Sequence, residues 1–393
     1  MVPSALWSES SSRSLRKHIF SNYKINYIYQ FQNQKRFKDV ASLFKFAIFQ
    51  LGDAKTPASS FKAKFMIQSS DNILKEITRN LKDDKENAYK GIELNINQIK
   101  KLSPIQESII EFKSNKEFSL INKMFGQFST LSKEYIDFKE GLHLTKYKAL
   151  YKEYSNENFI FLYSGANIHQ FNSRFFKDKA AKESSKLLWI DKEDLEKVLT
   201  KDDRHQTERI LYRRIARNTD QRTMISALSP KNCYCVSTIY INYEKVPISL
   251  YKKLFIISIF NSYTFDYLIR RFALSTDIVK SCLYQCPMPQ PEEKEILSNS
   301  LYLNLAKNTS ILIAKNDPEN FKYLLYLEHF EFNKEEVDKI LNLDTKDEFF
   351  KGKENENNFI IARLYSLTKE DFRVLLNDFE VLKNKKEESI FLL

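Results

Sequence analysis

The sequence predicts a mixed α/β chain: an α/β fragment at the N-terminus, a mostly helical spacer, then an α+β region that ends in helices. Alternating apolar residues mark short strands near the N-terminus, long amphipathic stretches follow, and aromatic and β-branched runs return between residues 156 and 290. The 393 residues are enough for two or three modules, because one domain usually takes about 100–200 residues.

The N-terminal part, residues 1–55, is expected to be the α/β fragment. Leu15 and Ile19 recur at helical spacing, and the alternating stretches 25–31 and 44–51 predict two strands joined by a polar loop. A piece of this size cannot close a core by itself. We therefore expect it to be the edge of something larger.

Residues 56–155 are expected to be the helical spacer. Amphipathic stretches at 70–82, 98–115 and 117–138 carry this prediction, and the Ser-Pro-Ile step at 103–105 predicts a helix start.

The α+β region is predicted from runs of strand-forming residues at 159–163 and 235–243 and an apolar helix at 249–272. The proline-rich stretch 285–291 must be extended, because each proline removes a donor and restricts the residue before it.

Residues 292–393 are expected to be helical, with Thr368 as a helix cap. The stretch 351–358, rich in Lys, Glu and Asn, is expected to be solvated.

Composition narrows the class of protein. Only 6 Gly, 9 Pro and 4 Cys exclude collagen-like, Gly/Pro-rich disordered and disulfide-scaffold chains. The longest apolar run, 254–260 apart from Ser258, is far shorter than the ~20 residues of a membrane span, and no signal segment opens the chain. A cytoplasmic protein without a membrane partner is expected.

The net charge of +11 suits a polyanionic partner, although 29% charged residues of both signs is ordinary for a soluble surface.

Metal-binding patterns are weak. The cysteines form two close pairs, Cys233/Cys235 and Cys282/Cys286, but neither gap matches the Cys-x-x-Cys spacing of a zinc knuckle, so buried reduced thiols are favoured. His169 and His205 have no Cys, Asp or Glu partner at ligand spacing. We expect no metal bound by this chain.

Arginines concentrate in one short segment. Six of the 15 arginines fall between residues 204 and 222, accompanied only by the acids Glu208 and Asp220. A charge run is usually a solvated face, and that interpretation stays open. The choice of arginine argues against it, because a planar guanidinium makes paired hydrogen bonds to phosphate or guanine that an ammonium cannot reproduce. The segment favours nucleic acid over a membrane surface; its arginines are Arg204, Arg209, Arg213, Arg214, Arg217 and Arg222.

Five segments in order carry a family resemblance. The first comprises Met1-Val-Pro-Ser4, Leu15-Arg16, Tyr29-Gln-Phe-Gln-Asn33, Phe37-Lys-Asp-Val40 and Phe44-Lys-Phe46. The others are Tyr163-Ser-Gly-Ala-Asn-Ile-His-Gln-Phe171, Arg213-Arg-Ile-Ala-Arg-Asn-Thr-Asp-Gln-Arg-Thr-Met-Ile-Ser-Ala-Leu228, Phe260-Asn-Ser-x-x-Phe-Asp-Tyr-Leu-Ile-Arg270 with Pro287-Met-Pro289, and Ala362-Arg-Leu-Tyr-Ser-Leu-Thr-Lys-Glu-Asp-Phe372. In these segments the chain resembles the Type IIG (Eco57I-like) restriction enzymes that are fused to an adenine-specific DNA methyltransferase.

The resemblance implies a division of the chain. Residues 1–55 would be the last strands of a Rossmann-like methyltransferase sheet, incomplete in this sequence, and 56–155 the helical spacer. Residues 156–291 would form the core of the DNA target-recognition domain, and 292–393 its C-terminal helical part.

The motifs that such an enzyme needs for catalysis do not occur in this sequence. It contains no Gly-x-Gly turn for S-adenosylmethionine and no Pro-Pro of the Asn-Pro-Pro-Tyr loop, and the family's N-terminal nuclease site has no counterpart. This chain alone is expected to be inactive and to bind no cofactor. S-adenosylmethionine, and Mg²⁺ for any cleavage, are expected in the complete enzyme.

The resemblance also assigns candidate site residues. Phe37 lies where the family places an aromatic against the extruded adenine, and such stacking is worth ~1–3 kcal/mol; the alternative is a core aromatic that closes its loop. Arg214 or Arg217 could equally pair with an internal acid such as Asp220. The candidates for contact with double-stranded DNA are Gln170, Arg209, Arg213, Arg214, Arg217, Asn218, Arg222 and Thr223.

Two hypotheses for function follow. The first is a DNA target-recognition module with a partial methyltransferase portion, which directs adenine methylation, with or without cleavage, in concert with a polypeptide that carries the N-terminal methyltransferase/nuclease half. The alternative is a non-functional or purely structural fragment of an interrupted restriction–modification gene. An independent nuclease or methyltransferase conflicts with the missing motifs.

Overall fold

The computed structural model has two compact units, unit 1 (Met1–Gly126) and unit 2 (Gln127–Leu393), and each is described by itself. The residues that the structure describes are 2–33, 37–40, 44–52, 59–67, 92–175, 187–200, 205–217, 220–273, 277–379 and 381.

Unit 1 is built on one mixed five-stranded sheet with the order β1-β3-β2-β4-β5. Strands β2 and β4 are parallel, whereas the pairs β1 with β3, β2 with β3 and β4 with β5 are antiparallel. The relation to a Rossmann-like methyltransferase sheet therefore stays a prediction. The elements are β1 (Val2–Pro3), α1 (Ala5–Ser8), α2 (Arg13–Asn22), β2 (Ile25–Gln32), β3 (Lys45–Leu51), β4 (Ser60–Ile67), β5 (Ile92–Asn95), α3 (Ile96–Leu102) and α4 (Asn115–Phe125).

The two strands expected at 25–31 and 44–51 are confirmed as β2 and β3, whereas the helical character expected for 56–155 is found in its described part at α3 and α4 but does not extend through it. Strands β4 and β5 lie in it, and in β4 Phe61, Ala63, Phe65 and Ile67 alternate with more exposed residues, a period of two that indicates a strand. The expected helix start at 103–105 is wrong, because α3 ends at Leu102 before that step. The stretch predicted at 70–82 lies outside the described residues.

Arg16 on α2 is fully buried and joins two separate loops of unit 1. Its Nη1 donates to the carbonyl oxygens of Leu6 at 2.8 Å and Glu9 at 2.6 Å. Its Nη2 and Nε donate to the carbonyl oxygens of Gln106 at 2.8 Å and Glu107 at 3.2 Å. Burial lowers the pKa of Arg16 to about 10, so the guanidinium stays charged at neutral pH while it connects the N-terminal segment to the loop after α3.

We expect Arg16→Ala to lower the free energy of unfolding of unit 1 by about 3 kcal/mol, because carbonyl oxygens would be buried without their donors. Amide hydrogen exchange of unit 1 in increasing urea measures the loss. Arg13→Ala is the control, since Arg13 is exposed on the same helix and its removal should cost within about 0.5 kcal/mol. Equal losses in the two variants would contradict the role of Arg16.

Two four-stranded sheets form the β-rich part of unit 2, with the orders β11-β10-β13-β6 and β12-β8-β9-β7. The strand predicted at 159–163 is confirmed as β8, and the run predicted at 235–243 is divided between β12 and β13. The strands are β6 (Asp137–Glu140), β7 (Tyr151–Lys152), β8 (Phe159–Tyr163), β9 (Leu188–Asp191), β10 (Ile210–Arg213), β11 (Ser226–Leu228), β12 (Cys233–Cys235) and β13 (Ile239–Tyr243).

The two sheets share one hydrophobic core, in which Leu162 and Ile190 of one sheet and Leu211 and Ile241 of the other are buried. They meet at Gly141, where the chain leaves β6. A Cβ atom there would lie 2.5 Å from the carbonyl oxygens of Cys235 and Val236, so the close approach of the backbones requires glycine.

Helices dominate the C-terminal half of unit 2. The single apolar helix expected at 249–272 is two helices, α6 and α7, that break at Asn261 and Ser262, and the Ser262 hydroxyl accepts from the amide of Phe265 to cap the second. The cap predicted at Thr368 is confirmed. The helices are α5 (Lys192–Leu199), α6 (Leu250–Phe260), α7 (Tyr263–Arg270), α8 (Lys280–Leu283), α9 (Glu293–Ser298), α10 (Ser300–Asn316), α11 (Pro318–Phe321), α12 (Lys334–Asn342), α13 (Glu348–Leu364) and α14 (Lys369–Leu376).

The four cysteines are buried free thiols, and burial raises the pKa of Cys233 and of Cys282 to about 12. Within the described ranges no group of three or more His, Cys, Asp or Glu is placed to hold a metal ion. No described helix combines the length and the apolar content that crossing a membrane requires.

Candidate functional site

A cavity of about 590 Å³ opens in unit 2 where loops from the sheets meet the C-terminal helices. Residues 169–171 lie on one wall, Arg213 and 220–222 on another, and 261–263 at the break between α6 and α7. Three of the five segments that carry the family resemblance therefore converge on one cavity. The side chains discussed below that line it are His169, Gln170, Arg213, Asp220, Arg222, Asn261, Tyr263, Lys315, Lys346, Asp347, Lys351, Glu354 and Asn355.

Asn261 is the residue that connects these segments. Its side-chain amide pairs with the backbone of Ser226 in both directions at 2.9 Å. The backbone carbonyl oxygen of Asn261 accepts from Gln170 Nε2 at 3.0 Å and from Arg222 Nη2 at 2.6 Å. The side chain of Asn261 thus holds the start of β11, and its backbone carbonyl oxygen holds Arg222 and the 163–171 segment, at the break after α6.

Asp266 on α7 holds two arginines inside the fold. Its carboxylate is fully buried and accepts from Arg222 Nε at 2.8 Å, from Arg270 Nε at 3.0 Å and from the amide of Thr223. The Arg222 guanidinium also stacks over the Tyr263 ring, 4.1 Å from its centroid. Arg222 and Thr223, two of the DNA-contact candidates, are therefore buried parts of the framework of the cavity.

Arg209 and Arg214 also have partners within the protein. Arg209 is only 3% exposed, and its Nη1 lies 2.8 Å from Glu244 Oε2. Arg214 pairs with Glu140 and, at 3.1 Å, with Asp277. Burial of Arg209 argues against its predicted contact with DNA, because a side chain inside the fold cannot reach a duplex. For Arg214, the structure shows the alternative to a DNA contact, which is pairing with acids inside the protein.

The remaining candidates differ in exposure. Arg217 is exposed, and its backbone amide donates to the carboxylate of Asp220 at 2.9 Å. Gln170 is half-buried and lines the cavity. Arg213 lines it too, and its Nη2 donates to the carbonyl oxygen of Ile168 at 2.6 Å. Asn218 lies outside the described residues, as does Arg204.

Cations outnumber carboxylates around the cavity. Its walls carry Arg213, Arg222 and three lysines against Asp220, Asp347 and Glu354. Burial raises the pKa of Glu354, although Lys315, Arg222 and Lys351 oppose this rise. Desolvation lowers the pKa of Lys315 and that of Arg213. The lining therefore holds more cationic than anionic side chains, although Asp266 behind the wall matches Arg222.

The two histidines noted in the sequence lie in different surroundings. His205 is buried away from the cavity, 3.9 Å from Glu196. His169 lines the cavity, where burial, together with the nearby charges of Arg213 and Arg222, lowers its pKa to about 4. The His169 ring is therefore neutral above about pH 4 in the folded chain.

We expect His169 to make the fold less stable as pH falls. Between about pH 6.5 and 4 the unfolded chain binds a proton on His169 that the folded chain rejects, so up to about 3 kcal/mol is lost across that window. Urea unfolding of His169→Gln from pH 8 to 4 should show a shallower loss than the wild type, and His143→Gln, at an exposed histidine, should follow the wild type. The raised pKa of Glu354 acts in the opposite direction in both proteins. If the free energy of unfolding fell with pH equally in His169→Gln and in the wild type, the loss would not come from the lowered pKa of His169.

Phe37, the candidate of unit 1, lies on a turn that Asn33 organises. The Asn33 side chain accepts from the amide of Phe37 at 2.9 Å and donates to the carbonyl oxygen of Val40 at 2.8 Å. The Phe37 ring is 39% exposed and packs edge-on against Phe46. Part of the ring is therefore accessible for stacking, and its contact with an adenine stays a prediction.

The C-terminal wall of the cavity was not expected from the sequence. Lys315, Lys346, Lys351 and Asn355 line it, although 351–358 was expected to be a solvated stretch. That expectation is wrong for Asn357 and Asn358, which are buried in α13. The available signal was two adjacent asparagines directly before the apolar residues Phe359 and Ile360, since buried amides mark specific hydrogen bonds.

No family model matches the chain, and no curated protein matches it. Among solved structures it is similar to the Type IIL restriction-modification enzyme MmeI in complex with DNA, with a TM-score of 0.48 and 11% identity, over 97% of this chain and 49% of that chain. It is also similar to the Type IIG restriction endonuclease BpuSI, with a TM-score of 0.36 and 10% identity, over 93% of this chain and 47% of that chain. This chain thus spans about half the length of each.

Proposed function

We propose that this chain is the DNA target-recognition portion, with a partial methyltransferase portion, of a Type IIG-like restriction–modification enzyme. It directs site-specific adenine methylation, and cleavage where a nuclease is present. A partner polypeptide, the N-terminal methyltransferase/nuclease half, supplies the S-adenosylmethionine-binding, Asn-Pro-Pro-Tyr-type and nuclease motifs. The observation that carries the proposal is the convergence of three resemblance segments on one cationic cavity in unit 2.

The geometry supports two different roles for the cationic residues, one structural and one in contact with DNA. Arg209, Arg214 and Arg222 are held by carboxylates and shape the loops. Lys346, Lys351 and Arg217 are exposed, so they can lie against phosphates. Neutralising phosphates releases counterions, which makes such binding depend steeply on salt.

Gln170 is the best placed candidate for reading a base. Its Nε2 is committed to the carbonyl oxygen of Asn261, which fixes the orientation of the amide. The Oε1 atom of a fixed amide can accept from an exocyclic amine of adenine or cytosine. Gln170→Glu should keep the acceptor, lose the donated hydrogen bond and change the choice of site.

We expect DNA binding by the full chain to depend on the lysines at the cavity. The double variant Lys346→Ala/Lys351→Ala should reduce the slope of log K against log salt by roughly 2, at about 0.9 for each phosphate that is no longer neutralised. Fluorescence anisotropy with a labelled duplex at several salt concentrations measures the slope. Lys334→Ala/Lys339→Ala is the matched control, because both lysines are exposed on α12 and neither lines the cavity. A flat salt dependence in the wild type would refute DNA binding by this surface.

We further expect no binding of S-adenosylmethionine by this chain alone, because the sequence lacks the glycine-rich turn that holds the cofactor. Calorimetry with the isolated chain tests this, and a mixture with the N-terminal half serves as the positive control. Stoichiometric tight binding by the isolated chain would overturn the proposed partition of motifs between two polypeptides.

One observation favours the alternative function, a purely structural fragment. Three of the expected DNA contacts, Arg209, Arg214 and Arg222, have their charges matched by carboxylates within the protein. A fragment of this kind would show no more affinity for DNA than its net charge supplies. The double variants Lys346→Ala/Lys351→Ala and Lys334→Ala/Lys339→Ala would then change the salt dependence of DNA binding equally.

A further inference from the structure

Arg213 is the unusual arginine of the cavity. The neighbouring Arg209, Arg214, Arg222 and Arg270 each have a carboxylate within salt-bridge distance. Across the described ranges, no carboxylate lies within that distance of Arg213, although its side chain is mostly buried. Its Nε is enclosed without a hydrogen-bond partner in the described part of the chain, and Nη2 has only the carbonyl oxygen of Ile168. A mostly buried cation without a salt bridge is costly for the fold.

Asp220 attracts Arg213 electrostatically, but none of the acids that line the cavity forms a salt bridge with it. The Asp220 carboxylate accepts from the backbone amide of Arg217, and that of Asp347 caps α13 by accepting from Phe349. Glu354 interacts with Lys315, Lys351 and Arg222. None of the three forms a salt bridge with Arg213, and the attraction of Asp220 does not offset the desolvation of its guanidinium.

The other groups near Arg213 also suit an anion. The His169 ring is held neutral beside Arg213 and Arg222, so it can donate one hydrogen bond and does not carry a competing charge. The Arg213 side chain is held by the hydrogen bond to Ile168, and it passes Gly165 so closely that a Cβ atom there would lie 3.3 Å from its Cγ. A planar guanidinium held in place binds phosphate oxygens better than a mobile ammonium does.

We propose that the cavity binds a phosphate group, held by the guanidinium of Arg213, with the His169 ring and the Lys351 ammonium as further donors. A volume of about 590 Å³ is large enough for a ligand of nucleotide size. If the proposed function holds, the phosphate belongs to a nucleic-acid backbone. Only this source of the phosphate rests on the proposed function. A free nucleotide offers the same chemistry.

Calorimetric titration of the full chain with inorganic phosphate, with deoxyadenosine monophosphate and with a short duplex tests the proposal. We expect Arg213→Gln to weaken binding of the monophosphate by about tenfold or more, since a hydrogen bond to a charged group contributes about 1.5–3 kcal/mol. Arg363→Gln, at an exposed arginine that does not line the cavity, should bind as the wild type does. Lys351→Ala, on the exposed side of α13, should weaken binding without disturbing the core and keeps the test valid if Arg213→Gln misfolds.

The outcomes separate the two proposals. Competition between the duplex and the monophosphate for wild type, abolished in Arg213→Gln, supports the inference with backbone phosphate as ligand. Binding of the monophosphate without competition by the duplex supports the phosphate site and contradicts DNA as its ligand. Salt-dependent duplex binding that Arg213→Gln leaves unchanged, together with no binding of phosphate or monophosphate, overturns the inference and leaves the proposed function standing.

Discussion

Burial of polar side chains at the break between α6 and α7 is the constraint on which the cavity of unit 2 depends. Asn261 and Asp266 are both inside the protein, where an unmatched amide or carboxylate would cost several kcal/mol. Asn261 pairs with Ser226, the first residue of β11, and Asp266 pairs with Arg222 on the loop that precedes this strand. The loop is consequently drawn onto the helices, and the cavity is the space left between that loop, the 163–171 segment and α13.

This constraint explains why an arginine-rich segment serves two purposes. A guanidinium has several donors in one plane, which suits a buried carboxylate as well as a phosphate. Arg209 and Arg222 use that geometry inside the fold, whereas Arg213 lines the cavity without a carboxylate partner in the described part of the chain. The preference for arginine over lysine was therefore a sound signal of specific geometry, but composition alone could not say whether the acceptor lay within the protein.

Sequence patterns within a few residues predicted the elements whose formation depends on neighbouring residues. Strands β2, β3 and β8 and the cap at Thr368 follow from alternation and capping chemistry within a few residues. The break at Asn261 and Ser262 interrupts an apolar run. Asn261 is held there by hydrogen bonds with Ser226 and Gln170, about 35 and 91 residues away, and such distant partners are not visible in the run itself. The C-terminal wall was missed for the same reason, since Lys315 and Lys351 approach the cavity only through the packing of α10 and α13.

The distribution of roles along the chain has a consequence for specificity. The resemblance segments contribute the buried network, with Asn261, Asp266 and Arg222 in it, while Lys315, Lys346, Lys351 and Asn355 lie outside every one of those segments. Unit 1 follows the same arrangement, because Asn33 is buried and holds the turn that presents Phe37. A rigid framework of satisfied polar groups can keep its shape while the exposed side chains around it change. A ligand in the cavity would therefore meet the donors on its rim and Arg213 in its wall, and the framework determines only where these groups stand.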